Sequence, residues 1–316
     1  MNNIESLIKK LSTAENIVII THNNPDGDAL GSSLGLVELI RDNFGKTAPI
    51  IHTGKIPKFL DWMPGRYEAV KKAEDIADDF IPDLAIMVDT SGGNTGDESM
   101  AVFNRARDSI KIDHHQTSPD IANLNIHKIV NSTAEVILEI AHAANWKINT
   151  IAADCLYTAI SSDTGRFSWV DDPSAFDAAA DCMRHGARPR DIEDNLAITT
   201  KDNILANAKI MMNAEFLFDN RLAISTVPLA DYAMLDGKGG HAMEWLRTID
   251  TVEYVALLKE PMENIIHISL RSRRMDVNKI AAKLGGGGHL NAAAVRLNTD
   301  LETAKQMILA AFAEVL

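Results

Sequence analysis

Four short, mainly apolar runs, at residues 16–20, 49–52, 84–88 and 109–112, set the strongest constraint on the fold. Each has the length of a strand, and the runs at 16–20 and 84–88 are continuously apolar or nearly so, as in a sheet covered on both faces. Helical spacing fills stretches between or after them, most clearly at 29–41, 134–145, 151–161 and 173–185. Buried strands alternating with helices predict a doubly wound, mainly parallel α/β sheet covered on both faces.

The pattern changes near residue 190. Residues 192–212 are polar and helical in spacing, and strand signals follow at 221–227, 252–258 and 265–271. A helix over 277–284 runs into Gly285-Gly286-Gly287-Gly288, with a short strand at 293–297 and a closing helix at 301–316. The expected organisation is an α/β domain over 1–190, a helical linker over 191–215, and a smaller α/β domain with a mixed sheet over 216–316. At 316 residues and 46% hydrophobic content, the chain has apolar material for two cores of ordinary size.

In an open parallel sheet, ligands bind beyond the carboxyl ends of the strands. After the first run comes Thr21-His22-Asn23-Asn24-Pro25-Asp26-Gly27-Asp28, after the third Asp89-Thr90, and after the fourth Asp113-His114-His115. One acid at a strand end is ordinary turn or cap chemistry. Three groups of acids and histidines on one rim are not, because clustered carboxylates repel one another unless cations lie between them. Carboxylates with a minority of imidazoles and no thiolate suit Mn²⁺, with Mg²⁺, Co²⁺ and Fe²⁺ as competitors. Six or so ligands exceed what one ion needs with substrate bound. Two ions sharing a carboxylate, about 3.5–4 Å apart, are the usual device for phosphoester cleavage.

His22-x-x-x-Asp26-Gly27-Asp28, Asp89, Asp113-His114-His115 and Asp163 resemble, in order, the four motifs of the DHH phosphoesterase superfamily. Gly285-Gly286-Gly287-Gly288-His289, with Ser269-Leu270-Arg271-Ser272 upstream, resembles that family's associated C-terminal domain. Length and layout resemble the nano-RNase and pAp-phosphatase branch. The resemblance implies a manganese-type hydrolase that removes mononucleotides from short 5′-phosphorylated RNAs and converts 3′-phosphoadenosine 5′-phosphate to AMP through a water activated by two ions.

It further implies that His22, Asp26 and a bridging Asp89 hold one metal, and Asp28, Asp89, His114 and Asp163 the other. Asp113 is expected to orient His114, and His115 to face the substrate phosphate. Asp163 is promoted to a ligand by motif order alone, since on its own it reads as a turn acid. Ser132-Thr133-Ala134-Glu135 has the spacing of a helix capping box. In the C-terminal domain, Arg271, Ser272, Gly286, Gly287, Gly288 and His289 are the expected substrate-binding residues. A glycine run after a helix can bring successive N–H groups close to an anion, and arginine forks bind phosphate. Ala294 stands where the family's motif carries glycine, which puts the pocket's detailed shape in question. A clamp of the two domains about the nucleotide is the expected arrangement.

The net charge of −13 argues against broad binding of long duplex nucleic acid. No segment reaches the roughly 18 consecutive apolar residues of a membrane span. Met1-Asn2-Asn3-Ile4-Glu5 has no basic start followed by an apolar stretch, so no secretory signal is expected. Cys155 and Cys182 are expected to be free, buried thiols, and the location cytoplasmic. The oligomeric state stays open, a dimer included. Rival readings are a phosphodiesterase for cyclic dinucleotides or linear pApA, an exopolyphosphatase-like hydrolase, and a non-catalytic nucleotide-binding protein.

Overall fold

The structure is a computed structural model that describes residues 3–90, 92–170, 172–235 and 240–316, the His289 side chain excepted. It forms two compact units, Met1–Ile198 and Thr199–Leu316. The first contains β1 (Ile17–Ile20), β2 (Ile50–His52), β3 (Val70–Lys72), β4 (Leu84–Val88), β5 (Ser109–Asp113) and β6 (Leu124–His127). Its helices are α1 (Asn3–Thr13), α2 (Gly27–Phe44), a short α3 (Arg66–Ala69), α4 (Asp97–Asn104), α5 (Thr133–Ala143), α6 (Thr150–Asp163), α7 (Ser174–Arg184) and α8 (Pro189–Ala197). The strands form one parallel sheet in the order β3-β2-β1-β4-β5-β6. Alternate strand residues enter two cores. Ile17, Ile19, Ile86 and Ile112 pack with α2, α5 and α6, while Val18, Ile20, Ala85 and Met87 pack with Val102 and Phe103 of α4. The expected sheet covered on both faces is therefore what forms.

The second unit has β7 (Glu215–Leu217), β8 (Leu222–Val227), β9 (Tyr254–Met262), β10 (Ile265–Ser272), β11 (Gly287–His289) and β12 (Ala292–Leu297). Its helices are α9 (Lys201–Met212), a short α10 (Leu229–Tyr232), α11 (Gly240–Arg247), α12 (Val277–Lys283) and α13 (Leu301–Ala313). The sheet order is β11-β12-β10-β9-β8-β7, and β8–β9 is its parallel pair. One face packs on α12 and α13 through Ile266, Ile268 and Leu270, the other on α9 and α11 through Val255 and Leu257. The helical stretch expected as a linker over 191–215 does not stand apart: α8 packs on α6 in the first unit, and α9 on α11 and β8 in the second. Among the described residues, no helix is long and apolar enough to cross a membrane. Cys155 and Cys182 are free and buried.

One contact fixes where two separate stretches of the first unit meet. α2 carries Gly27, Gly31 and Gly35 on one side, although each glycine inside a helix costs about 1 kcal/mol relative to alanine. A Cβ at Gly31 would lie 2.6 Å from the Cys155 carbonyl oxygen and 2.9 Å from Ala159 Cβ. At Gly35 it would lie 2.6 Å from Leu156, and at Gly27 2.2 Å from Ser162 Oγ. The glycines let α2 lie almost backbone to backbone against α6, which brings the start of α2 beside the end of α6. Gly31→Ala should therefore destabilise the protein by about 1–3 kcal/mol despite alanine's better helix propensity. Denaturant unfolding reads the outcome, and an unchanged or raised stability would contradict the close contact.

Candidate metal centre

β1, β4 and β5 are neighbours at the middle of the parallel sheet, and their C-terminal ends place three of the four motifs together. Asp26 caps α2: its Oδ1 accepts hydrogen bonds from the backbone N–H groups of Asp28 and Ala29, both at 3.0 Å. Capping fixes the turn and sets Asp28 in the first helical turn, buried, where its Oδ1 accepts from the Ser32 hydroxyl at 2.8 Å. Asp89 follows β4 directly with φ 57°, a left-handed conformation that aspartate adopts more readily than most side chains. Its N–H donates to the Ile112 carbonyl at 3.1 Å, which ties the residue to β5. Asp113 ends β5, and Asp163 is the last residue of α6.

Two imidazoles face these acids through Nε2. His114 Nδ1 lies 3.0 Å from the Val130 carbonyl, to which it donates, leaving Nε2 as a lone pair. That Nε2 is 3.7 Å from Asp28, 3.5 Å from Asp89 and 3.4 Å from Asp163. His22 repeats the pattern: Nδ1 is 3.0 Å from the Asn23 carbonyl, and Nε2 is 3.8 Å from both Asp26 and Asp89. Potential ligand atoms of His22, Asp26 and Asp89 lie within 4.8 Å of one another, as do those of Asp28, His114 and Asp163. Asp89 belongs to both neighbourhoods, with Oδ2 toward His22 and Oδ1 toward His114.

The electrostatics call for cations. Burial, then the charges of Asp89 and Asp163, hold the Asp28 carboxyl well above the usual range. Burial and the Asp26 charge raise Asp89. Burial, with the Asp89 and Asp26 charges prevailing over the relief from His114, pushes Asp163 up to about 7. Burial opposes charge on His22, yet pairing with Asp26 and the charge of Asp89 lift it to about 9. Left to themselves, the groups take up protons to relieve their own repulsion. A set of oxygen donors with two free imidazole nitrogens fits divalent ions of the manganese type.

The surroundings differ from expectation at Asp113 and at the start of α5. Asp113 does not hold the His114 ring; its Oδ1 lies 2.7 Å from His115 Nδ1, and it also receives the Ser118 hydroxyl and the His114 N–H. The Val130 carbonyl takes the place expected of Asp113, and the two rings stay neighbours, their centroids 4.7 Å apart. Buried Lys111 sits 3.7 Å from Asp113 and donates to the Pro119 carbonyl at 2.7 Å, which pins the loop behind His115. The Ser132–Glu135 box does not form a side-chain cap. Instead the Thr133 N–H donates to Asp28 Oδ2 at 2.8 Å and its hydroxyl to Asp89 Oδ1 at 2.9 Å. Thr133 is the site residue that sequence reasoning passed over; the small residues opening α5 were its signal.

In the second unit the expected substrate residues separate. Arg271 shares a sheet face with His267 and Ser269, whereas buried Ser272 lies on the opposite face, its hydroxyl bonded to the Met275 carbonyl. The glycine run is not a free row of N–H groups. The N–H groups of Gly285 and Gly286 close the end of α12 on the Ala282 and Ala281 carbonyls at 3.1 and 2.9 Å. Gly288 admits close approach of β11 to β12, since a Cβ there would lie 2.4 Å from the Ala292 carbonyl. Gly287 alone of the three expected glycines has ordinary space around it. The His289 side chain lies outside the described residues; its backbone pairs with Ala292, which pairs in turn with Arg271. Gly287, Ala294 and Ser269 form the next row on that face, and Lys259, His267 and Arg296 another. A floor of small residues is thus flanked by Arg271 on one side and by Lys259 and Arg296 on the other, while burial and these two charges hold His267 toward its neutral form. Ala294 has ordinary negative φ, so its methyl raises the floor without straining the chain.

A raised carboxyl pKa contributes stability below the unfolded value near 4, and that contribution is lost as pH rises through the folded value. Metal-free protein should therefore melt progressively lower from pH 5 to pH 8, with Asp163 near 7 as one source. Asp163→Asn should flatten the slope, and Mn²⁺ should raise the melting temperature most at pH 8. A wild-type profile that is flat, or that the variant leaves unchanged, would refute the repulsion argument.

Comparison with known proteins agrees with this arrangement. The sequence model of the DHH family, N-terminal domain, matches residues 16–160, and that of the DHHA1 domain matches residues 220–316. The chain is 28% identical to a probable bifunctional oligoribonuclease and PAP phosphatase NrnA of Streptococcus mutans, over 92% of each chain. It is also 28% identical to the bifunctional oligoribonuclease and PAP phosphatase NrnA of Thermus thermophilus, over 95% of this chain and 90% of that one. The crystal structure of an exopolyphosphatase-related protein from Bacteroides fragilis superposes with a TM-score of 0.90 at 25% identity, covering 99% of this chain and 96% of the other. The chain belongs to the DHH family, with a DHH N-terminal domain followed by a DHHA1 domain.

Proposed function

We propose that the protein is a metal-dependent phosphoesterase that hydrolyses short 5′-phosphorylated oligoribonucleotides to mononucleotides and 3′-phosphoadenosine 5′-phosphate to AMP. The observation that carries this reading is Asp89, a buried carboxylate whose two oxygens face two separate groups of donors. In this reading His22, Asp26 and Asp89 hold one divalent ion, and Asp28, Asp89, His114 and Asp163 the other, with Mn²⁺ best suited to the donor set. When bound, such ions supply charge neutralisation at a phosphoryl oxygen and an acidified water at neutral pH.

The protein's own residues supply position and protons. The Val130 and Asn23 carbonyls fix the tautomers of His114 and His22. Thr133 holds Asp28 and Asp89 in place from the N-terminus of α5, where the helix dipole also favours negative charge. The bond from His115 to Asp113 raises the His115 pKa, with burial opposing, which favours the protonated ring suited to donating to a phosphate oxygen or a departing alkoxide. In the DHHA1 domain, Arg271, with Gly287 and His289 across the sheet, is proposed to hold the substrate's terminal phosphate. Lys259 and Arg296, on either side of His267 in that row, favour a polyanion over a neutral ligand. Both relatives described above are named as oligoribonucleases and PAP phosphatases, which supports the substrate class.

Initial rates with Mn²⁺ on 5′-phosphorylated RNAs from two to about twenty nucleotides, with pAp alongside, test the reading. Fast turnover confined to the shortest RNAs, with pAp also cleaved, is expected. Folded, metal-loaded protein that turns over neither would reject it and move cyclic dinucleotides, linear pApA or polyphosphate forward. Asp89→Asn should abolish turnover by at least about a hundredfold while leaving circular dichroism unchanged. Arg271→Gln should raise KM for 5′-phosphorylated substrates more than it lowers kcat. A variant of Asp89 with normal turnover would end the assignment of that residue.

A further inference from the structure

The first unit carries another group of metal-type donors, at the far end of α5 from Thr133. His142 lies in the last turn of α5, roughly 13 Å along the helix axis from Thr133. Asp181 lies in the last turn of α7, and His185 follows that helix directly. One potential ligand atom from each of the three lies within 4.8 Å of the others. His142 Nε2 is 2.6 Å from Asp181 Oδ2, and His185 Nε2 is 3.9 Å from Asp181 Oδ1, so the imidazoles approach the carboxylate at different oxygens. Their ring centroids are 6.1 Å apart.

Helix termination fixes this arrangement. The His185 N–H donates to the Asp181 and Cys182 carbonyls, both at 3.1 Å, and the Ala187 N–H returns to the Cys182 carbonyl at 3.0 Å. The backbone of His185 is thereby held, while its ring makes no hydrogen bond among the described residues. A solitary His–Asp hydrogen bond accounts for His142; it leaves unexplained a second imidazole directed at the same carboxylate. All three groups are partly accessible, so an ion can enter from solvent. Arg184 Nη1, 3.9 Å from Asp181 Oδ1, opposes a cation weakly, because its side chain is exposed and free to turn away.

We propose that His142, Asp181 and His185 form a binding site for a transition-metal ion of the zinc type, which ties the C-terminal ends of α5 and α7 together. Two imidazoles and one carboxylate suit Zn²⁺, Co²⁺, Ni²⁺ or Cu²⁺. The carboxylate-dominated first centre suits Mn²⁺, so the two sites differ in preference. On binding, the ion takes the place of the proton shared by His142 Nε2 and Asp181 Oδ2, and that proton is released to solvent. Water completes the coordination.

The test compares the full chain with His142→Ala/His185→Ala and with His185→Gln, each saturated with Mn²⁺ and then dialysed against Zn²⁺. His185→Gln removes a ring that makes no hydrogen bond among the described residues, so it keeps the test open if the double variant folds poorly. The wild type is expected to retain one zinc equivalent that both variants lose. Its Co²⁺ form should show a visible absorption band absent from both. Turnover without zinc should be the same in all three proteins. Equal zinc stoichiometry and affinity in the wild type and His185→Gln, or identical Co²⁺ spectra, would overturn the proposal.

Discussion

Repulsion among Asp28, Asp89 and Asp163 is the constraint on which the first unit's architecture turns. Three carboxylates that each resist ionisation cannot be held together by local sequence, because every local preference would separate them. They are gathered by elements stabilised elsewhere. Asp28 is placed by a helix cap, Asp89 by a strand end tied to its neighbour, and Asp163 by a helix lying against α2. The apolar cores on both faces of the sheet supply the stability that this concentration of charge opposes.

The contact between α2 and α6 makes the gathering geometrically feasible. Ordinary helix packing keeps axes 8–10 Å apart, on the order of a side chain on each helix. Where glycine removes one layer of side chains, the helix ends come closer, and Asp163 reaches the same imidazole as Asp28. In the second unit glycines do related work, closing α12 and letting β11 approach β12. Close approach at Gly31 and Gly288 thus shapes two places far apart in sequence, in one case between helices and in the other between strands.

Much of this could be read from the chain alone, and what could not has physical causes. Residues 17–20 and 84–88 announce themselves by continuous apolar character and 109–113 by Ile110 and Ile112 alternating with polar residues, and the polar residues at and after their ends fall at the sheet's edge by topology. Short edge strands such as β3 and β11 carry too few residues for a period to emerge. The partner of Asp113 is settled by the path of the loop after it, which no spacing rule encodes, so His115 takes the bond expected for His114. Thr133 looked like part of a cap because its sequence neighbours match one; its long-range partners are 105 and 44 residues away. Ser272 enters through the motif it shares with Arg271, but strand neighbours face opposite ways, and its hydroxyl bonds the Met275 carbonyl on the buried face.

The left-handed backbone at Asp89 narrows the routes by which this site can decay. Asparagine and glycine tolerate that conformation far better than most side chains, and each is one base change from aspartate. A descendant of this chain that gave up the charge would most readily carry one of those two residues there, keeping the turn and the fold around it. Loss of the carboxylate and loss of structure are thereby uncoupled at this position, and the scaffold can outlast the charge it was built to hold.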